Sequence, residues 1–287
     1  MENEMIVKKV VKEVFDKDVV VVERLMGGMS NFTYVIKMED ELYTFRIPGK
    51  KAEKFVDREV EEHNIGLVRD LNLNNDTVYF DKKTGFKIAR YIKGQPLHEL
   101  NPLDYLEEAA NVLHKVHNHK ELSNFDYDPL RRLEIYENHN NEFNHIKPDR
   151  YLELKNEFLS HIKYLDKARL TLCHGDSQIS NFVVTDNGLR LMDWEFAGNN
   201  DPFYDIACFG NNDFDHALKL LPVYLKHEPT QDEINRLYFF RAFQCLQWHN
   251  VAWYKEYIGL SKDLGVDFKF VANLYLDKAE SMLSNIK

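Results

Sequence analysis

Leu170-Thr171-Leu172-Cys173-His174-Gly175-Asp176-Ser177-Gln178-Ile179-Ser180-Asn181 runs on through Phe182–Thr185 and Leu189–Met192 and ends in Asp193-Trp194-Glu195-Phe196. The apolar runs Leu170–Cys173, Phe182–Thr185 and Leu189–Met192 have the length and composition of short strands, and Asn187-Gly188 is a hairpin turn dipeptide. Asp176 therefore follows a strand directly. Asn181 comes five residues later and Asp193 twelve beyond that, at the end of the hairpin, so three oxygen ligands converge on one edge. From His174 to Asp215 the chain carries the acids Asp176, Asp186, Asp193, Glu195, Asp201, Asp205, Asp213 and Asp215 against a single basic residue of the Lys/Arg kind, Arg190. So acidic a stretch must be solvated, paired or bound to cations. Asp186, Asp213 and Asp215 read as solvated surface.

Upstream, Met5, Ile6, Val10, Val11 and Val14 recur at helical spacing and open the chain with an amphipathic helix. Val19–Leu25 and Phe32–Met38 read as strands interrupted by Gly27-Gly28, and Leu42–Ile47 as a third. Alternation puts Tyr43, Phe45 and Ile47 on one face and Leu42, Thr44 and Arg46 on the other. Residues 52–71 read as one helix with Phe55, Val56, Val60, Ile65 and Val68 buried, followed by strands at 77–80 and 86–92. After Gly94 and Pro96, helical periodicity recurs at about 100–118, 129–142, 149–165, 230–258 and 266–284. The expected organisation is α+β: a sheet-rich N-terminal lobe over 1–92, a larger mainly helical lobe over 93–287, a hinge at 90–95, and a ligand cleft between the lobes.

The chain has 287 residues, with 37 basic and 47 acidic side chains and a formal charge of −10, which argues against nucleic acid as the main partner. No apolar run is long enough to span a bilayer and Met1-Glu2-Asn3-Glu4 does not open a signal peptide, so a cytoplasmic protein without membrane insertion is expected. Cys173, Cys208 and Cys245 are odd in number and far apart, as reduced buried thiols are. The oligomeric state is left open.

Phosphoryl transfer needs a carboxylate to orient and deprotonate an acceptor hydroxyl, and hard oxygen ligands for Mg²⁺. Asp176, Asn181 and Asp193 supply those types in the order of a kinase catalytic and metal loop. Cys173–Asn181, Met192-Asp193-Trp194-Glu195 and Asn200-Asp201-Pro202-Phe203-Tyr204-Asp205-Ile206-Ala207 together resemble the choline/ethanolamine kinase family, in particular its bacterial branch. The Asp-Trp-Glu triplet sets the chain apart from the related aminoglycoside phosphotransferases. Gly27-Gly28-Met29-Ser30-Asn31, between two strands, is similar to that family's nucleotide loop.

The resemblance implies a protein-kinase-like bilobal fold, ATP as co-substrate and Mg²⁺ as cofactor. It implies Asp176 as base, Asn181 and Asp193 as metal ligands, and Asp205 with His174 as supports of the catalytic loop. For the nucleotide it implies Gly28, Ser30 and Asn31, Arg46 in the place of the usual phosphate-binding lysine, an acidic partner that helical spacing puts at Glu61 rather than Glu59, and backbone groups of Ala89–Tyr91 for adenine. Gln178 matches a position that contacts the acceptor alcohol. The acceptor expected is a small cationic alcohol, choline. Aromatic faces hold quaternary ammonium groups, and the candidates here are Trp248, Tyr204 and Phe196, with Glu195 beside them as a metal or bracing group.

The aromatic pattern departs from the family, because Val251 stands where many members have a second tryptophan and Trp253 is displaced to another helix face. Ethanolamine, thiamine and an aminoglycoside-like alcohol therefore stay open as acceptors, as does a binding module without catalysis. His114, His117 and His119 are not read as a metal site, since His114 and His117 lie three apart on a helix without carboxylate support. Pro48-Gly49-Lys50-Lys51 lacks the rest of a phosphate loop and reads as a turn.

Overall fold

The computed structural model describes residues 2–25, 31–166 and 170–287. In chain order the elements are α1 Glu2–Phe15, β1 Val20–Leu25, β2 Asn31–Met38, β3 Glu41–Pro48, α2 Arg58–Leu67, β4 Thr77–Phe80, β5 Lys87–Arg90, β6 Gln95–Pro96, α3 Leu106–His117, α4 Pro129–Asn141, α5 Asp149–Ser160 and α6 Lys163–Asp166. They continue with β7 Thr171–Cys173, β8 Phe182–Thr185, β9 Gly188–Leu191, β10 Gly198–Asn200, α7 Pro202–Phe209, α8 Phe214–Leu225, α9 Gln231–Tyr257, α10 Leu260–Leu264 and α11 Phe268–Leu283. The chain forms two compact units, residues 1–100 with 180–196 and residues 101–179 with 197–287.

In the first unit an antiparallel sheet has the order β1-β2-β3-β5-β4. Its core side buries Tyr34, Ile36, Phe45, Ile47 and Ile88 against Val7 and Val11 of α1. Helix α1 turns a slightly different face inward than its spacing predicts, for Met5 is 65% exposed while Val7 is fully covered. On β3, Arg46 is buried, as is Lys87, its partner in register on β5.

The single helix expected over 52–71 is broken. A 3₁₀ turn covers Ala52–Lys54, the Asp57 side chain then caps α2 by accepting from the amides of Glu59 and Val60, and a second 3₁₀ turn follows at Val68–Leu71. An aspartate that can satisfy the first free amides of a helix starts one at its own position. The buried face of α2 is polar: Arg58, Glu61 and Asn64. Its apolar spacing is therefore a poor guide to what it covers.

The β8–β9 hairpin belongs to the first unit, whereas an N-terminal lobe over 1–92 leaves it out. Strand β6 pairs with β8, placing Gln95 opposite Val184. A Cβ on Gly94 would lie 2.5 Å from the Val184 carbonyl oxygen, so this approach requires glycine. Thr185 pairs with Gly188, and the turn sits on Asp186 and Asn187, one residue earlier than the dipeptide signal indicates.

The second unit is built around α9, a long helix opened by a capping box between Thr230 and Glu233. It is buried on nearly every side, with Phe239, Phe240 and Phe243 in the core and Phe158 of α5 stacked on Phe239 at 4.6 Å. Strands β7 and β10 pair antiparallel, and β7 leads directly into the loop that bears Asp176. Helices α7 and α8 were not expected. Asp201 caps α7 with Pro202 in its first turn, and Asp213 caps α8, so two residues of the acidic stretch are helix starters. All three cysteines are buried and free. Among the described residues no helix is long and apolar enough to cross a membrane.

Candidate active site

The candidate groups of the first unit gather around Glu61. Arg46 grips its carboxylate with both guanidinium ends, Nη1 to Oε1 at 2.5 Å and Nη2 to Oε2 at 2.9 Å. Arg58 Nη1 donates to Oε2 at 2.5 Å and Lys87 Nζ to Oε1 at 3.4 Å. Arg46 thus pairs with Glu61. Burial alone would raise the Glu61 pKa, but Lys87, Arg46 and Arg58 outweigh it and hold the carboxyl at about 2. The Lys87 pKa is lowered too, first by burial and then by the neighbouring Arg46 charge.

Glu195 closes this network. It lies 3.1 Å from Arg58 Nη1 and 3.4 Å from Arg46 Nη1, and it accepts from Asn31 Nδ2 at 3.2 Å. At 5% exposure it is buried in the first unit, where these donors hold it as a brace. Burial and the nearby Asp193 charge raise its pKa. Asn31, assigned to the nucleotide, has its amide nitrogen on this carboxylate. Gly28 and Ser30 lie outside the described residues.

Asp193 stands apart from these filled carboxylates. Its nearest cation is Arg46, 3.7 Å away, and its side chain is 35% exposed. Its backbone is left-handed, with φ of 65°, a strained conformation for a residue with a side chain. The hairpin sets its neighbour: Met192 N donates to the Asn181 carbonyl at 2.8 Å, so Asn181 and Asp193 end adjacent strands. A carboxylate and a carboxamide at one strand end suit a hard cation such as Mg²⁺.

In the expected hinge, the amides of Arg90 and Tyr91 are engaged within the first unit. Arg90 N donates to the Asp76 carbonyl at 2.8 Å and Tyr91 N to that of Leu42 at 3.0 Å, while Ala89 is paired within the sheet to β3 and β4. These amides serve the sheet.

In the second unit the loop bearing Asp176 hangs on Asp205. Its Oδ2 accepts from His174 N at 2.7 Å and its Oδ1 from Gly175 N at 2.9 Å, and its carbonyl accepts from Ser177 Oγ at 2.7 Å. Gly175, at φ of 78°, makes the left-handed turn between them. His117 Nε2 lies 3.1 Å from Asp205 Oδ2, and Tyr224 OH lies 2.8 Å from His117 Nδ1. Burial works to raise the Asp205 pKa, but the hydrogen bond and charge of His117 and the contacts of His174 hold it below the usual range. His117 of α3 therefore does meet a carboxylate, one 88 residues away in sequence that helix spacing could not reveal, while His114 Nε2 lies 2.9 Å from the Tyr224 carbonyl. Asp205 is filled by these donors and acts as a brace.

His174, fully buried, accepts the Asp176 amide on Nδ1 at 3.2 Å and so fixes the backbone of the candidate base. Asp176 Oδ2 accepts from Gln178 Nε2 at 3.1 Å, and Cys208 Sγ lies 3.8 Å from Oδ1. Gln178, expected at the acceptor, is engaged at both ends, since its Oε1 accepts from Asn211 Nδ2 at 3.0 Å.

The aromatic candidates part company. Tyr204 is 2% exposed, its hydroxyl 2.6 Å from that of Tyr127 and its ring among Phe240 and Phe243, which corrects it to a core residue. Trp248 is half-buried and near-parallel to Tyr275 at 6.5 Å, with Lys255 Nζ 5.9 Å from its ring centre. Trp253 turns instead to Tyr257 and His145. Phe196 is half-buried at the end of the first unit. Arg58 and Lys87 were missed by the sequence reading. The signals were there: Arg58 precedes Glu61 by one helical turn, and Lys87 faces Arg46 once β3 and β5 are paired.

Several known proteins resemble this chain. Protein LicA of Haemophilus influenzae is 27% identical over 199 residues, a match covering 63% of this chain and 55% of that protein, so the chain spans little more than half of that relative's length. The choline kinase LicA from Streptococcus pneumoniae superposes with a TM-score of 0.80 at 24% identity, covering 99% of each chain. A structure of LicA in complex with AMP gives a TM-score of 0.79 at 23% identity, covering 99% of this chain and 98% of the other. These likenesses establish the kinase-like α+β fold. The choline/ethanolamine kinase profile matches residues 22–244, most of the chain, and the protein belongs to that family.

Proposed function

We propose that the chain is a Mg²⁺-dependent kinase that moves the γ-phosphoryl group of ATP to the hydroxyl of choline, giving phosphocholine and ADP. The observation that carries this reading is Asp193, strained at φ of 65° beside Asn181 while the neighbouring Glu61 and Glu195 are filled by arginines. Asn181 and Asp193 would hold the ion. Bound there, Mg²⁺ would neutralise phosphate charge during transfer. An anion is further supported by two buried donors that find no acceptor among the described residues, Arg46 Nε and Arg58 Nη2.

In the second unit Asp176 is the base. Its backbone is fixed by His174 and its loop by Asp205, so its carboxylate is presented in one orientation to accept the hydroxyl proton as the oxygen attacks phosphorus. The Trp248–Tyr275 pair supports a cationic headgroup. Ethanolamine is the alternative. Lys255 and Lys278 lie over those two rings and leave less aromatic surface for three methyl groups.

The test is ADP release with Mg²⁺-ATP and choline, ethanolamine, thiamine, an aminoglycoside or no acceptor. Selective stimulation by choline supports the reading, a larger response to ethanolamine favours the alternative, and no stimulation by any acceptor overturns both. Asp176→Ala and Asp193→Ala are each expected to lower turnover by at least ~100-fold with the fold intact by circular dichroism. Near-normal turnover in either variant removes that residue from its role.

A further inference from the structure

We propose that Arg241, acting through Asn211 and Gln178, is a positioning residue that sets the orientation of the Asp176 carboxylate. This rests on the reading of Asp176 as base. Arg241, on α9 and 2% exposed, donates from Nη2 to Asn211 Oδ1 at 2.9 Å and to the Asn211 carbonyl at 3.0 Å. Asn211 Nδ2 donates to Gln178 Oε1 at 3.0 Å, and Gln178 Nε2 donates to Asp176 Oδ2 at 3.1 Å.

The direction of this chain is dictated by its ends. A guanidinium only donates and a carboxylate only accepts, so the two amides between them have one orientation that satisfies every link. Arg241 must meet the oxygen of Asn211. That turns the Asn211 nitrogen toward Gln178, and the Gln178 nitrogen toward Asp176. Without the guanidinium Asn211 could flip, and its oxygen would then face Gln178 and compete with Asp176 for the Gln178 nitrogen.

The other contacts of Arg241 hold it in place. Nη1 donates to Gln244 Oε1 at 3.0 Å, and Gln244 Nε2 donates to the Tyr204 carbonyl at 2.9 Å, tying α9 to α7. Lys278 Nζ reaches the Asn211 carbonyl at 3.5 Å. The hydrogen bonds of a buried guanidinium thus end on amide oxygens, and its charge strengthens the first link of the chain. Gln178 becomes an orienting group, with both amide ends taken up by the protein.

The test uses the full chain and reads kcat, the KM of ATP and the melting temperature, with choline and ethanolamine as acceptors. Asn211→Asp keeps an acceptor for Arg241 but removes the donor to Gln178. The expected result is a fall in kcat of about tenfold or more, an ATP KM within about twofold of wild type, and a melting temperature no lower than wild type. In a Gln178→Ala background the same substitution should add nothing further, because the link it acts through is gone. Asn211→Asp with wild-type kcat, or with an undiminished effect in the Gln178→Ala background, overturns the relay. Asp176→Ala separates the two ideas: if it is inactive while Asn211→Asp is normal, only the relay falls. If Asp176→Ala remains active, the base falls and the relay with it.

Discussion

Glu61 and Asp205 are both carboxylates with no exposed surface, one in each unit, and they are satisfied in opposite ways. Around Glu61 the donors are two guanidiniums and an ammonium; Glu195 shares both guanidiniums, and Asp193 faces that of Arg46 alone. Around Asp205 the donors are two backbone amides and the His117 ring. The first is a charge balance, so anything that adds or removes charge, a phosphate or a metal ion included, redistributes it. The second is a geometric clasp. A polyphosphate site needs the former and a base that must point one way needs the latter.

The comparison breaks most directly at its centres. Glu61→Gln keeps the shape but strands buried cations, and should cost about 3–5 kcal/mol in denaturant unfolding. Acid should reach the same interaction by another route. The Glu61 pKa is about 2 in the folded chain against an ordinary 4.5, so its contribution is complete above about pH 4.5 and is lost as pH falls through about 2. Wild type and Glu61→Gln should therefore differ at neutral pH and converge toward pH 2, a change of about 3 kcal/mol. Parallel curves down to pH 2 would mean that the charge balance is not what Glu61 supplies.

Asp205→Asn should cost less, about 1–3 kcal/mol, because an amide oxygen still accepts from one of the backbone donors. Equal costs for the two isosteric changes would erase the distinction between ionic and neutral hubs. The smallest effect is expected at Trp248→Ala, away from both. Cation–π contacts of about 0.5–2 kcal/mol would raise the KM of a quaternary amine about 2- to 30-fold while sparing that of ATP. Equal changes in the two constants would make Trp248 a packing residue.

What the sequence disclosed follows from range. The His174–Asn181 loop, the hairpin and Asp193 are local, and their order alone pointed to phosphoryl transfer. Glu61 was legible because it shares one turn of helix with the residues that pack beneath it. Arg58, one helical turn before Glu61, was within the same reach, whereas Lys87 and Glu195 join the hub only after strands pair and residues far apart in the chain come together. Tyr204 misled for a related reason: an aromatic in a motif resembles a ligand contact until its hydroxyl is found on Tyr127. Helices α7 and α8 were hidden by their own caps, because Asp201 and Asp213 read as charge when they mark helix starts.

The pairing of β6 with β8 has a consequence for how the protein is made. The first unit is discontinuous, and residues 101–179 lie between its main part and the hairpin that completes it. On the ribosome the N-terminal sheet emerges well before Phe182–Leu191 exists, and Glu61 waits with its arginines for the Glu195 that shares them. A fragment cut after Leu100 would lack that hairpin altogether. Expression of the isolated N-terminal hundred residues should yield a chain that needs residues 180–196 supplied in trans.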